Sequence, residues 1–177
     1  MTEIRRETKE TSIYIDATRG TGRADAETGE RFLDHMIVTI ARYSALDLTV
    51  RARGDLRHHL IEDVAITFGT AVHRLSAEGV ARFGERTIPM DDALVQVVLD
   101  LGGRPYYSGT LPSDLYDHWM RSFSDHAGAT LHVRVLAGDD RHHIVEAAFK
   151  ALGMALRQAL APSDAVFSTK GAVTQEG

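Results

Sequence analysis

The sequence predicts a mixed α/β (α+β) fold of two duplicated halves, each running β-β-α-β-α with a sheet packed on helices. Self-similarity is the first sign. Sliding the chain by 84 positions lays Gly54-Asp55-Leu56-Arg57-His58-His59-Leu60-Ile61-Glu62 on Gly138-Asp139-Asp140-Arg141-His142-His143-Ile144-Val145-Glu146, and eight of the 22 pairs from 54 to 75 are identical. A slide of 83 pairs Asp34-His35-Met36 with Asp117-His118-Trp119, and Leu48, Val50 and Arg51 with Leu131, Val133 and Arg134. The second sign is the interleaving of period-two segments with segments of helical period. At 177 residues the chain fits a single domain, 1–177, of two halves, about 1–88 and 89–177, sharing one core.

In chain order, Thr11 to Ala17 alternates as a strand, and Arg19-Gly20-Thr21-Gly22 is a turn. Arg31 to Ser44 reads as a helix with Phe32, Met36, Ile40 and Tyr43 along one stripe. Leu46 to Arg53 follows as a strand, Gly54-Asp55 as a turn, and Leu56 to Leu75 as a long helix. In the second half, Ala93 to Leu101 and Pro105 to Gly109 are strands. Leu115 to Ala127 is a helix, Thr130 to Leu136 a strand, and Arg141 to Ala161 a helix. Gly171 to Gly177 reads as a short tail.

Composition narrows the chemistry. With no cysteine, disulfides, thiolate catalysis, Fe–S clusters and Cys-ligated zinc are excluded. A net charge of −5 argues against general nucleic-acid binding, so any anion site must be a local basic cluster. The charged N-terminus has no apolar core of a signal peptide, and the stretch Ala93 to Leu101 is too short to span a bilayer. A soluble cytoplasmic protein with no membrane partner is expected.

The nine histidines stand out, four of them in adjacent pairs. On a helix, His58 and Glu62 are four residues apart and His59 and Glu62 three, so all can approach one edge. The same holds for His142, His143 and Glu146. Imidazoles and a carboxylate suit a divalent cation such as Mn²⁺, Fe²⁺ or Zn²⁺. Adjacent histidines project about 100° apart on a helix, so each pair suits two metals or two faces better than one ion. A lone His-His-x-x-Glu is ordinarily an exposed helix start; its repetition in both halves favours ligation. The residues alone leave His35 and His132 open, since a histidine inside an apolar strand is usually a core residue. His118 matches His35 in the repeat without other support, and His73 and His126 read as surface residues. Ser168-Thr169-Lys170-Gly171 lacks the first glycine of a P-loop, yet hydroxyls and a lysine beside a glycine suit a phosphate. Arg104 and Lys150, each taken alone, are ordinary surface charges.

Together these residues resemble the imidazoleglycerol-phosphate dehydratase family of histidine biosynthesis. The likeness runs through Arg6-Glu7-Thr8-Lys9-Glu10-Thr11, Phe32-Leu33-Asp34-His35-Met36, His58-His59-Leu60-Ile61-Glu62-Asp63, Arg82-Phe83-Gly84 and Pro89-Met90-Asp91-Asp92-Ala93-Leu94. It continues through Gly103-Arg104-Pro105, Thr130-Leu131-His132, His142 to Lys150 and Ser168-Thr169-Lys170-Gly171. The resemblance implies a ribosomal protein S5 domain 2-like fold and a homo-oligomer, a 24-mer with sites between subunits and two Mn²⁺ per active site. One metal would take His35, His59, His142 and Glu146; the other His58, Glu62, His132 and His143. Arg82, Arg104, Lys150, Ser168, Thr169 and Lys170 fall where the family holds the substrate, chiefly its phosphate. Glu10 falls on the acid/base carboxylate, which also touches substrate.

The implied reaction dehydrates D-erythro-imidazole-glycerol phosphate to imidazole acetol phosphate. The hydrogen lost is not acidic; metals on both imidazole nitrogens favour the imidazolate, which expels the neighbouring hydroxyl while Glu10 moves protons. The chain departs from the family in a shorter segment before His58, where acidic residues are common, and in a shorter segment between Tyr107 and Leu115. Tyr43 stands where the family often has His, and Asp92 where it often has Glu. The alternatives are a dinuclear metal-dependent phosphate-ester hydrolase and a non-catalytic metal-storage protein.

Overall fold

The computed structural model describes residues 2–77 and 79–164. In the first half, strand β2 (Thr11–Arg19) buries Thr11, Ile13, Ile15 and Ala17, and β4 (Leu46–Gly54) buries Leu46, Leu48, Val50 and Ala52. Their antiparallel register sets Ile13 opposite Ala52 and Ile15 opposite Val50, so both apolar sets share one face. Antiparallel β1 (Thr2–Glu7) and parallel β3 (Ala24–Glu27) flank them, giving the order β1-β2-β4-β3. The second half repeats this as β5-β6-β8-β7, from β5 (Phe83–Met90), β6 (Ala93–Asp100), β7 (Tyr106–Ser108) and β8 (Thr130–Ala137).

Each half therefore places three strands before its first helix, where the sequence predicted two. The additional strands lie at sheet edges and bury little; Ile4 is the one buried residue of β1, so alternation does not reveal it. Because β5 pairs with β6, the second half begins near Phe83 and not at residue 89.

The helices are α1 (Arg31–Ser44), α2 (Arg57–Leu75), α3 (Asp114–Ala127) and α4 (Arg141–Ala159). Buried Leu33, Met36, Ile37, Ile40 and Ala41 form the inward stripe of α1. Its C-cap, Ala45, is left-handed at φ 59, and the repeat mate that caps α3 is Gly128 at φ 62. Helices pair across the halves, α1 with α4 and α2 with α3. Repeated glycines permit the approach: a Cβ on Gly69 of α2 would lie 2.7 Å from the Phe123 carbonyl oxygen of α3. One on Gly153 of α4 would lie 2.7 Å from Tyr43 Cβ of α1. Phe68, Trp119, Phe123 and Phe149 fill the centre, with Trp119 and Phe149 rings 4.7 Å apart. No described helix is long and apolar enough to cross a membrane.

Candidate metal centre

Helix pairing assembles two matched tripods. In the first, α1 brings His35 to α4, whose His142 and Glu146 lie one turn apart. Glu146 Oε2 is 3.5 Å from His35 Nε2 and 3.3 Å from His142 Nε2. Glu146 is buried, and its other oxygen accepts from Lys150 Nζ at 2.9 Å. Burial alone would raise the Glu146 pKa, but the Lys150 ammonium and His35 outweigh it and hold the carboxylate below its ordinary value.

The second tripod is the repeat image. His58 and Glu62 stand one turn apart on α2, and α3 supplies His118. Glu62 Oε2 lies 3.6 Å from His58 Nε2, Glu62 Oε1 lies 3.1 Å from His118 Nε2, and the two imidazole rings are 5.3 Å apart. The donor atoms of all three residues fall within 4.8 Å of one another. His118 Nε2 is shielded from solvent and forms no hydrogen bond, its contact with Glu62 lacking the required geometry. A buried, unsatisfied imidazole nitrogen facing a carboxylate and a second imidazole is costly without a partner and fits a divalent cation.

His118 thus stands where the sequence expectation put His132. The structure leaves His132 out of this cluster: period two on β8 turns it to the face opposite buried Leu131 and Val133, beside the Tyr106 ring at 5.7 Å. The signal for His118 was present in the repeat, which aligns it with His35.

The second histidine of each pair faces elsewhere. His59 Nδ1 is 2.9 Å from Asp55 Oδ1 and 3.5 Å from Glu10 Oε2. His143 Nδ1 is 2.6 Å from Asp92 Oδ1, and its Nε2 is 3.4 Å from Asp91 Oδ2. Hydrogen bonds donated to the Asp55 and Asp92 carboxylates raise the pKa values of His59 and His143, respectively. The Asp139 N–H first, then the His143 side chain and the Asp140 N–H, hold Asp92 well below the usual carboxylate range. Within one chain, neither His59 nor His143 joins the tripod to which the resemblance assigned it. The aspartates that hold them, Asp55 and Asp92, were not among the predicted site residues. Nor was Asp140, whose side chain caps α4 by accepting from the His142 and His143 N–H groups.

Glu10 sits in the β1–β2 turn, which is firmly tied. Thr8 Oγ1 accepts from the Glu10 and Thr11 N–H groups, the Glu10 carbonyl accepts from the Asp55 N–H, and Thr11 Oγ1 donates to buried Asp63 of α2. Of the predicted phosphate residues, Arg82 is engaged by Asp100 at 2.6 and 2.9 Å, Arg104 is exposed, and Lys150 faces Glu146. Ser168, Thr169 and Lys170 lie outside the described residues.

The duplicated α+β domain is the frame of two solved imidazoleglycerol-phosphate dehydratases. A crystal structure of the enzyme from Pyrococcus furiosus matches with a TM-score of 0.86 at 40% identity, covering 96% of this chain and 100% of that one. That from Staphylococcus aureus matches with a TM-score of 0.81 at 30% identity, covering 92% and 100%. The family model for imidazoleglycerol-phosphate dehydratase matches residues 28–156, and the chain belongs to this family of hydro-lyases. The Methanoculleus marisnigri dehydratase is 43% identical over 97% of this chain and 98% of its own length. The chloroplastic Arabidopsis thaliana protein is 44% identical over 89% of this chain, which spans 64% of that longer protein.

Proposed function

We propose that this chain dehydrates imidazoleglycerol phosphate to imidazole acetol phosphate in histidine biosynthesis, as a cytoplasmic 24-subunit homo-oligomer with two Mn²⁺ per active site. One observation carries the metal assignment: two repeat-related tripods, each with three donors, accompany two carboxylate-held histidines that face away from both. Three donors on one surface and a fourth on another support sites shared between subunits. The proposed ligand sets are His35, His59, His142 and Glu146, and His58, Glu62, His118 and His143.

When bound, the two ions supply Lewis acidity at the substrate imidazole and so favour its anionic form. The chain's own groups orient the substrate and move protons. Hydroxyl leaves the carbon beside the imidazole and hydrogen leaves the next carbon; the resulting enol rearranges to the ketone. Glu10, held by its backbone beside His59 with an exposed carboxylate, carries a proton from the carbon or to the departing hydroxyl. Exposed Arg104 suits the phosphate end of the substrate, and the Ser168-Thr169-Lys170-Gly171 sequence is suited to the same group. A dinuclear hydrolase would use a carboxylate shared by closely spaced ions, whereas Glu62 and Glu146 each serve a separate tripod.

The test is turnover by protein stripped of metal and reloaded with Mn²⁺. Manganese-dependent imidazole acetol phosphate is expected. No product from a folded, metal-loaded oligomer would overturn the proposal. Glu10→Gln should lose turnover while retaining metal, and full activity in that variant would remove Glu10 from its role.

A further inference from the structure

We infer that Asp55 and Asp92 are positioning residues for His59 and His143: each carboxylate accepts the Nδ1–H hydrogen bond of its histidine and so leaves Nε2 as the electron-pair donor. This rests on the proposed metal-dependent dehydration, and it concerns aspartates outside both proposed ligand sets. A neutral imidazole carries one proton on either nitrogen, and an acceptor at one nitrogen decides which is left to bind a cation.

The two halves reach this arrangement by different routes. In the first, the connection between β4 and α2 is so short that Asp55 stands four residues before His59, within reach of its Nδ1 at 2.9 Å. The same Oδ1 accepts from the Leu56 N–H at 2.6 Å, which fixes the carboxylate at the mouth of α2. The repeat mate of Asp55 is Asp139, and it does not take this role. Its N–H instead donates to Asp92 Oδ2 at 2.7 Å, and Asp92 reaches over from the β5–β6 turn to accept from His143 Nδ1 at 2.6 Å. Descent from one repeat unit would have kept the carboxylate at one position. Different residues arriving at the same atom of matched histidines point to a requirement on that atom.

The first-half route also explains how a shortened turn is tolerated. Asp55 supplies, from one turn ahead, an acceptor that a longer acidic segment could otherwise bring. It further leaves Glu10 free. At 3.5 Å from the same Nδ1, the Glu10 side chain makes no hydrogen bond to the ring, because that N–H is donated to Asp55.

The experiment reads histidine ring nitrogen NMR shifts of the metal-free full chain, at alkaline pH where the rings are neutral, and then Mn²⁺ affinity by calorimetry. Wild-type His59 and His143 should both carry the proton on Nδ1. Asp55→Ala should move the His59 proton toward Nε2, leave His143 unchanged, and weaken Mn²⁺ binding about 10- to 100-fold. Asp55→Asn should restore both, because one amide oxygen can serve Leu56 and His59 as Oδ1 does. Asp92→Asn should not: Asp92 uses one oxygen for backbone N–H groups and the other for His143, so the amide nitrogen would face Nδ1 and drive the proton to Nε2. Unchanged tautomers in folded Asp55→Ala and Asp92→Asn would overturn the inference. Tautomers that respond as expected in a chain whose wild type binds no Mn²⁺ would uphold the positioning and overturn the metal-dependent function instead.

Discussion

Gly69→Ala tests whether helix contact sets the geometry of the second tripod. In an exposed helix, this change would stabilise the protein by about 1 kcal/mol through helix propensity. At Gly69, however, the new Cβ would lie 2.7 Å from the Phe123 carbonyl oxygen and 3.0 Å from the Ala127 nitrogen. Both are backbone atoms of α3, so no side chain can swing aside and the helix must move. Overpacking of this kind costs about 1–3 kcal/mol, which gives a net destabilisation of about 0–2 kcal/mol. A net loss of about 1 kcal/mol corresponds to a fall in Tm of roughly 2–4 °C for a chain of this size. Pushing α3 outward also separates His118 from Glu62, so Mn²⁺ affinity should fall with stability. Gly153→Ala should cost a similar amount, since its new Cβ would lie 2.7 Å from Tyr43 Cβ, an atom fixed to the α1 backbone. Urea or thermal unfolding and calorimetric Mn²⁺ titration measure both effects. A Gly69→Ala protein stabilised by about 1 kcal/mol, with unchanged metal affinity, would refute the reasoning.

Three further outcomes are expected. His118→Ala should abolish one Mn²⁺ equivalent while His132→Ala retains both; the opposite pattern, read by bound-metal analysis, would restore His132 as the ligand. Ala45→Gly should stabilise the chain by about 1 kcal/mol in chemical denaturation, because it relieves a left-handed alanine at a position where the repeat carries Gly128. Asp47 accepts the Arg23 and Thr21 N–H groups, in that order of effect, which lowers its pKa below the ordinary 3.8. Its contribution is therefore full above the unfolded value and lost as pH falls through the folded one. Asp47→Asn should be less stable than wild type at neutral pH, and the difference should close in acid when unfolding is followed against pH.

The helices and central strands were legible because each has a strong inward pattern: Leu33, Met36, Ile37 and Ile40 in α1, and Ile13, Ile15 and Ala17 in β2. The edge strands β1, β3 and β5 were not, and β1 shows why: it places Ile4 alone in the core among charged neighbours. At the site, His58 with Glu62 and His142 with Glu146 could be read from spacing, because one helix carries both partners. His118 could not be reached by local spacing; it meets Glu62 only when α3 crosses onto α2. The repeat did hold that information, for whatever places His35 over Glu146 must also place its mate His118 over Glu62. Asp92 escaped for a related reason, since a turn 51 residues away in sequence supplies the acceptor for His143.

The exchange of helices between halves bears on ancestry. Neither half contains a complete tripod, because α1 needs α4 and α3 needs α2. A single-unit ancestor could have built these clusters only as a symmetric pair of chains, with two identical clusters per pair. Within one polypeptide that identity is not required, and the two clusters differ. Lys150 places an ammonium on Glu146, while its repeat mate beside Glu62 is Ile66. An incoming cation must compete with Lys150 at one cluster, whereas among the described residues no lysine or arginine pairs with Glu62 at the other. The two sites should therefore fill in sequence, the His58/Glu62/His118 cluster first.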